Sequence, residues 1–155
     1  MEMTIHTDIQ RGTIGKNDSD RYESMLLRLN SIYAQIPSID CKHCQACSSP
    51  IFWFFPEEIN IQRYLKTQNL PYITWSEDEF KNNNMRCPYL RNDRCSIYSV
   101  RPLVCRLQGI VEDLPCPNYA TPLLSQQQVQ YIKEMMTQLL HELNAMNKIF
   151  GTRKA

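Results

Sequence analysis

The chain has 155 residues, of which 43% are hydrophobic, and this length suits one compact domain better than two. Its 17 basic and 16 acidic residues leave a formal net charge of +1, and the basic residues are scattered, which argues against nucleic-acid binding. No stretch approaches the roughly 18 apolar residues that cross a bilayer, and the first residues carry no secretory signal. We therefore expect a soluble, cytoplasmic protein with no membrane partner.

The first predicted element is an amphipathic helix at about residues 20–36. Apolar residues recur there at steps of three and four, which places them on one face of a helix. Polar residues 18–20 are suitable N-caps, and Pro37 is expected to end the helix. Residues 1–17 lack the pattern and are predicted to form a flexible tail, so the predicted domain covers residues 18–151. The stripe consists of Tyr22, Met25, Leu29, Ile32 and Ile36.

Two shorter helices and a turn are predicted in the middle of the chain. A Pro-Glu-Glu sequence at residues 56–58 opens a helix that runs to about Gln68, because proline is tolerated in the first turn and acids there complement the helix dipole. Ser76 and Glu79 form a capping box for a second, short helix. Between residues 87 and 98, adjacent Asn and Asp residues separate two small apolar runs, which predicts a turn or a short hairpin.

The C-terminal helix, at about residues 125–150, has the strongest periodicity in the chain. Ser125 and Gln128 form a capping box, and Gly151 is the predicted stop. Because the N-terminal helix has a matching stripe, we expect the two helices to pack within one monomer, with a dimer through the C-terminal helix as the alternative. The predicted fold is thus mainly α, with two amphipathic helices around a loop-rich cysteine core. The stripe consists of Val129, Ile132, Met136, Leu139, Leu143, Met146 and Phe150.

Seven cysteines are the most informative feature of the sequence. A reducing compartment keeps thiols free and an odd number cannot all pair, so metal or redox chemistry explains them better than disulfides, although single cysteines can also be buried apolar residues. Cys41, Cys44 and Cys47 lie at three-residue intervals and can surround one inorganic centre. Such a run followed by a remote Cys-Pro is typical of ferredoxin-type iron–sulfur sites, and Cys-Pro pairs occur here at Cys87 and Cys116.

All seven cysteines are therefore candidate metal ligands. The three-cysteine run and Cys87 form the predicted first site, while Cys95, Cys105 and Cys116 remain as a second site or as substitutes. The spacing favours an iron–sulfur cluster, with a 4Fe-4S cluster first, because structural zinc sites more often use two separated C-x2-C pairs. Zinc stays the alternative cofactor.

The sequence around these cysteines resembles the YkgJ-like cysteine-cluster (CxxCxxCC) family of zinc- or iron-chelating domains. In that family a CxxCxxCC run precedes C-P-x-L and then C-x-I-Y-x-x-R-P-x-x-C-R. The match is carried by CKHCQAC and by CPYLRNDRCSIYSVRPLVCR, over roughly residues 41–118. Ser48 stands where the family has its fourth cysteine and is a poorer ligand for soft metals, so Cys116 is a candidate replacement. The resemblance implies metal chelation and no particular reaction.

Other side chains near the cysteines are candidates for the same site. Arg101 and Arg106 flank Cys105, where a guanidinium can donate to the sulfurs of a cofactor, lower a thiol pKa or form an ordinary salt bridge. His43 lies inside the cysteine run and is either a ligand or, more simply, a loop residue. The apolar block 51–55 either shields a cluster from water or belongs to the core.

The predicted function is that of an iron–sulfur protein in electron transfer, redox sensing or assistance to another enzyme, with a protein partner. A structural zinc module that mediates protein contacts is one alternative, and a thiol-based enzyme or metal carrier is another. No Gly-rich phosphate loop, H-E-x-x-H motif or G-x-S-x-G motif is present. The sequence therefore assigns no catalytic residue and favours a metalloprotein that is not an enzyme.

Overall fold

The helices predicted at the two ends of the chain are both present in a computed structural model, which describes residues 16–43, Cys47 and residues 53–151. Among these residues are five α-helices and one two-stranded hairpin, so the predicted mainly α class is confirmed. No helix within the described ranges has the length and apolarity to cross a membrane. The elements are α1 (Lys16–Tyr33), α2 (Phe55–Thr67), α3 (Glu77–Asn82), β1 (Leu90–Arg91), β2 (Arg94–Cys95), α4 (Leu103–Leu107) and α5 (Gln126–Gly151).

Helices α1 and α5 pack against each other through the stripes that predicted them. Leu29 of α1 is 0% exposed, and Ile132 and Leu139 of α5 are 1% and 2% exposed, so apolar burial holds the pair together. The core that they form also contains residues of α4. The last two stripe residues, Met146 and Phe150, belong to the range 145–151, whose side chains lie outside the description.

Helix α1 lies further toward the N-terminus than predicted. It begins at Lys16, so that residues 18–20, expected as caps, lie inside the helix, and it ends at Tyr33 rather than at residue 36. Polar residues of this kind suit a first turn as well as a cap, because both positions offer unpaired N–H groups and a positive dipole end. The chain leaves the helix through turns closed by hydrogen bonds between residues three apart before it reaches Pro37. Of the predicted tail, residues 1–15 lie outside the described residues.

Two predicted capping boxes are confirmed. At the start of α3, the Ser76 N–H donates to Glu79 Oε2 over 2.7 Å, and the Glu79 N–H donates to Ser76 Oγ over 3.3 Å. At the start of α5, the Ser125 N–H donates to Gln128 Oε1 over 2.9 Å, and the Gln128 N–H donates to Ser125 Oγ over 3.3 Å. Each box satisfies two N–H groups that the helix cannot pair by itself, which explains why both helices begin there.

The predicted hairpin is present, and it is short. Leu90 pairs with Cys95 across β1 and β2 in antiparallel register. Asn92 and Asp93 form the turn with φ values of 46° and 62°, the left-handed conformation that two-residue hairpin turns require and that Asn and Asp tolerate. The hairpin therefore brings Cys95 back toward Cys87, which lies three residues before β1.

A second apolar cluster fixes the hairpin on α2. Ile61 and Leu65 of α2 and Tyr89 and Ile97 beside the hairpin are each at most 2% exposed. The Tyr89 hydroxyl accepts a hydrogen bond from the N–H of Ile73 over 2.9 Å, which satisfies the one polar atom of this buried ring. Because Cys87 and Cys95 are packed against the same cluster, α2 positions both thiols.

The aromatic block after the cysteine run belongs to the apolar interior. Trp53 packs on the second cluster, with its ring centroid 6.2 Å from that of Tyr89. Phe54 and Phe55 pack on the α1–α5 core instead. Residues 51–52 lie outside the described residues. None of the three described residues lines the cysteine cavity defined below, so the core interpretation of this block describes them best.

Candidate metal centre

One cavity collects the cysteines that the structure describes. It has a volume of about 130 Å³, and six cysteines line it. They come from the cysteine run, the hairpin, α4 and the loop after α4, which are far apart in sequence. Cys44, the seventh predicted ligand, lies outside the described residues. The six are Cys41, Cys47, Cys87, Cys95, Cys105 and Cys116.

The two hairpin thiols are surrounded by backbone donors. The N–H groups of Tyr89 and Leu90 donate toward the sulfur of Cys87, and the N–H of Ile97 donates toward the sulfur of Cys95. These bonds lower the pKa of each thiol, but burial, the larger effect, raises both pKa values above the ordinary one. The hairpin thus presents two partly buried sulfurs with hydrogen-bond donors already aimed at them, an arrangement that stabilises a bound thiolate.

Cys105 on α4 is the most strongly perturbed of these thiols. Burial, and to a lesser extent the nearby sulfurs of Cys87, Cys95 and Cys47, together raise its pKa to about 12, because burial and like charges both disfavour the thiolate. These four thiols therefore lie within electrostatic reach of one another, and we call them the hairpin-side group. The group contains two members of the predicted first site, Cys47 and Cys87, and joins them with Cys95 and Cys105.

A buried carboxylate holds α4 in place. Glu57 is 1% exposed, and its Oε1 accepts hydrogen bonds from the Tyr33 hydroxyl over 2.8 Å and from the Leu103 N–H over 2.5 Å. Its Oε2 accepts the N–H of Phe54 over 3.0 Å. Burial raises the pKa of Glu57, while these bonds lower it. One side chain thus connects α1, α2 and α4, and it fixes the backbone two residues before Cys105.

Sequence reasoning missed this connection. The two acids after Pro56 were expected to act through the helix dipole, which requires no burial. Instead Glu57 is buried among α1, α2 and α4, and Glu58, 9% exposed, accepts hydrogen bonds from Gln62 and Tyr72. A Pro-Glu-Glu helix start carries no signal for which acid faces inward, because that depends on the elements packed around it.

The two arginines that flank Cys105 have different surroundings. Arg106 Nε donates to the carbonyl oxygen of Arg101 over 2.9 Å, and its Nη2 donates to the carbonyl oxygen of Ser99 over 2.8 Å. Its guanidinium also lies 3.8 Å from the centre of the Tyr33 ring. Arg106 does not line the cavity, whereas Arg101 does. The structure therefore brings only one of the two predicted cofactor-binding arginines to the thiols.

Arg101 carries an unsatisfied donor. Its Nε is buried and has no hydrogen-bond partner, and no other buried side-chain nitrogen or oxygen in the described part of the chain lacks one. The guanidinium stacks on the Tyr98 ring, 3.9 Å from its centre. Buried donors are nearly always paired, so an unpaired N–H at a thiol-lined cavity suits an occupant that offers an acceptor.

The remaining two described cysteines of the cavity, Cys41 and Cys116, are linked through Tyr119. The Tyr119 N–H donates to the carbonyl oxygen of Cys116 over 3.0 Å, and the Tyr119 hydroxyl donates to the carbonyl oxygen of Asp40. These bonds tie the Cys116 turn to the residue before Cys41. Gly109, with φ of 76°, makes room for it, since a Cβ there would lie 2.7 Å from the Cys116 Cβ. We call Cys41 and Cys116 the loop-side group.

The two described histidines give little further evidence about the metal ligands. His43 lines the cavity, and its backbone N–H donates to the sulfur of Cys41 over 3.4 Å. His141 is exposed on α5, away from the thiols. Within the described residues, no three Cys, His, Asp or Glu side chains are grouped so that they could hold a single metal ion. The described thiols thus surround a space instead of meeting at one point.

The donor set and the size of the cavity suit a soft metal. Thiolates select zinc and iron–sulfur clusters over hard cations such as Mg²⁺ or Ca²⁺. A body the size of a water molecule needs roughly 10–15 Å³ of such space. The cavity of about 130 Å³ therefore has room for a group of several atoms as well as for one ion.

Comparison with known proteins agrees with this chemistry. The CxxCxxCC family model, described as a putative zinc- or iron-chelating domain, matches residues 40–139. The chain belongs to this family. The CxxCxxCC match includes all seven cysteines and extends into α5, so that much of the C-terminal helix is part of the family domain and not an addition to it. No curated protein and no solved structure matches the chain.

Membership confirms the predicted family and supports metal binding by the cysteine cluster. The family description leaves open whether the metal is zinc or iron. Ser48, which replaces the fourth cysteine of the CxxCxxCC run, lies outside the described residues. Cys116, the predicted replacement, lines the same cavity as Cys41 and Cys47.

Proposed function

We propose that this chain holds an iron–sulfur cluster, most simply of the 4Fe-4S type, in the thiol-lined cavity. The cavity carries the proposal, because six cysteines line one space of about 130 Å³, which has room for a group of several atoms. In a cluster each thiolate binds a different iron, whereas the four ligands of a zinc ion all lie roughly 2.3 Å from it. A cavity of this size lined by six cysteines favours the cluster.

The hairpin-side group supplies the proposed ligands Cys47, Cys87, Cys95 and Cys105. Three of them are positioned by the fold itself, two by the hairpin on α2 and one by α4 on Glu57. The loop-side group and Cys44 are then available for a second site or as substitutes. Six cysteines around one cavity also fit a reducing compartment such as the cytoplasm, where disulfides are rare.

Such a cluster, when bound, supplies one-electron transfer. The protein contributes burial, which limits access of water, and N–H donors at the sulfurs, and both set the reduction potential. We therefore propose a role in electron transfer, in redox sensing or in assistance to another enzyme, with a protein partner. The described cavity presents no group that points to a catalytic step of its own.

A structural zinc ion is the second candidate. The observation that favours it is the hairpin, whose N–H donors at Cys87 and Cys95 stabilise any metal-bound thiolate, zinc included. In that case the ion connects the hairpin to α4, and the protein is a module for protein contacts.

Metal analysis of anaerobically purified protein separates these functions. We expect a brown protein that contains iron and acid-labile sulfide, with absorption from sulfur-to-iron charge transfer. Stoichiometric zinc without sulfide would contradict the iron–sulfur proposal and support the zinc module. As a control, His141→Ala changes an exposed ligand-type residue on α5 and should leave the metal content unchanged.

Serine substitutions test the proposed ligands. Cys95→Ser should remove or strongly reduce bound iron, because a hydroxyl replaces a thiolate in the hairpin-side group. Cys116→Ser, the matched variant from the loop-side group, should retain most of it. Full iron retention after changing Cys87, Cys95 and Cys105 together would refute the hairpin-side assignment, and loss of iron in Cys116→Ser alone would extend the ligand set to the loop side.

A further inference from the structure

The proposed cysteine ligands do not explain the unpaired buried donor of Arg101. Its Nε is the one buried side-chain nitrogen or oxygen, within the described ranges, that lacks a hydrogen-bond partner. An N–H group removed from water without an acceptor destabilises the folded protein, so such groups are rare unless a ligand or water completes them. Arg101 also lines the thiol cavity, which places this donor where an occupant is expected.

Stacking on Tyr98 does not satisfy this donor. The guanidinium carbon lies 3.9 Å from the centre of the Tyr98 ring, a cation–π contact that is not a hydrogen bond of Nε. The N–H groups of a guanidinium lie in its plane and donate along its edges. The contact with Tyr98 therefore leaves the hydrogen bond of Nε still to be made.

Arg106 shows what a structural arginine looks like in the same segment. It donates to two backbone carbonyl groups, over 2.9 Å to Arg101 and over 2.8 Å to Ser99, and it stacks on Tyr33. One of those carbonyl groups belongs to Arg101 itself, so Arg106 holds the backbone from which the Arg101 side chain extends. Arg106 thus supports the loop, and Arg101 contacts the cavity.

We propose that Arg101 Nε–H donates a hydrogen bond to a sulfur of the metal centre, either a cysteine thiolate or an inorganic sulfide. This inference rests on the proposed function, because it needs a thiolate-bound centre in the cavity. A guanidinium is always charged, and a centre held by several thiolates carries net negative charge, so the two are complementary. Donors of this kind orient the ligands and retain the metal, and Arg101 is a positioning residue by this role.

The test compares the rates at which reconstituted proteins lose metal. Arg101→Leu removes the donor and the charge, and Arg94→Leu makes the same change at an exposed arginine of the hairpin. Each protein is loaded with ferrous iron and sulfide, and iron release to a coloured ferrous chelator is followed. We expect release from Arg101→Leu to be roughly 10–100-fold faster than from the wild type, the range typical of such supporting contacts, with a shifted charge-transfer band. Arg94→Leu should match the wild type.

A purely structural role for Arg101 predicts something else. Arg101→Leu would then destabilise the metal-free protein, which circular dichroism during thermal unfolding measures, and the loaded protein would release iron at the wild-type rate with an unshifted spectrum. That result would overturn the inference. If Arg101→Leu does not fold, Arg101→Lys keeps the charge without Nε–H, so release at the wild-type rate would overturn the inference and faster release would support it.

Failure of this inference is distinguishable from failure of the proposed function. Wild-type protein that contains zinc and no sulfide contradicts the iron–sulfur proposal, but the release comparison can then be repeated with zinc and a zinc chelator, because a zinc-bound thiolate is also an acceptor. Wild-type protein that binds neither metal refutes both. Equal release rates in the wild type and Arg101→Leu refute only the role of Arg101.

Discussion

The α1–α5 pair and the thiol-lined cavity show two different ways to hold a protein together. In the helix pair, Leu29, Ile132 and Leu139 are at most 2% exposed, and apolar burial explains the contact completely. Around the cavity the contacts are short turns, backbone donors and one buried carboxylate, and the thiols are only partly buried. The comparison teaches that the helix pair is held by buried apolar contacts, whereas the cavity region is held mainly by hydrogen bonds and, under the proposed function, by metal ligation.

The largest effect is expected from a charge in the helix pair. Leu139→Asp should lower the free energy of unfolding by at least ~2–5 kcal/mol, the cost of losing a core leucine, because a buried carboxylate adds to it. Leu27→Asp is the matched control, since Leu27 is 67% exposed, and should have little effect. Urea unfolding of the monomer measures both. A folded monomer released from a dimer by Leu139→Asp would instead identify the stripe as an oligomer interface.

A smaller effect is expected where the two regions meet. Glu57→Gln replaces a carboxylate oxygen that accepts from Phe54 with an amide group that donates, so we expect a loss of about 1–3 kcal/mol in unfolding free energy. Because Glu57 also fixes α4, the variant should lose metal faster to a chelator. Glu58→Gln, which alters a neighbouring acid bonded to Tyr72, should leave metal release unchanged. Equal metal-release rates in the two variants would show that the Glu57 carboxylate does not affect how the site retains metal.

A milder effect is expected at Gly109, which lies against Cys116. Gly109→Ala puts a side chain at φ of 76° and within 2.7 Å of the Cys116 Cβ, which should cost roughly 1–2 kcal/mol for the backbone alone and displace the Cys116 turn. If the loop-side group is dispensable, iron content should stay close to that of the wild type. Thermal unfolding and iron analysis test this, with Glu112→Ala as an exposed control in the same loop. Loss of iron would show that the cavity acts as one site.

The smallest effect is expected on the surface of the helix pair. Arg28 and Glu142 join α1 and α5 through an ion pair whose side chains are 40% and 43% exposed. Exposed pairs contribute little because water and salt screen them. Glu142→Gln should therefore leave the thermal midpoint within experimental error of the wild type at physiological salt. A clear loss of stability would mean that apolar burial alone does not explain the helix pair.

Local patterns made much of the fold predictable. The three-four stripes, two capping boxes and the Asn-Asp turn each depend on residues close together in sequence, and each is present. The limits of α1 were predicted less well, because polar residues 18–20 suit a first turn as well as a cap. Boundaries depend on small differences between alternative caps, whereas a stripe adds the burial of many residues.

The candidate site was predicted in part for the same reason. The spacing of Cys41 and Cys47 and the two Cys-Pro pairs indicated a metal site, and the six described cysteines do line one cavity. Which sulfurs lie together was not predictable, since that depends on how α2 and α4 are placed by contacts distant in sequence. The difference between Arg101 and Arg106 was hidden for the same reason, because the sequence shows only that both lie close to Cys105.

The sequence by itself determined the family, the helical class, the cysteine inventory and the positions at which helices and turns begin. Those properties follow from residue types and short spacings, which act along the chain. Only the tertiary structure decided that the hairpin thiols lie near Cys105 and Cys47, that Glu57 fixes α4, and that Arg101, and not Arg106, lines the cavity. These outcomes depend on burial and on contacts between distant segments, and neither quantity exists until the chain is folded.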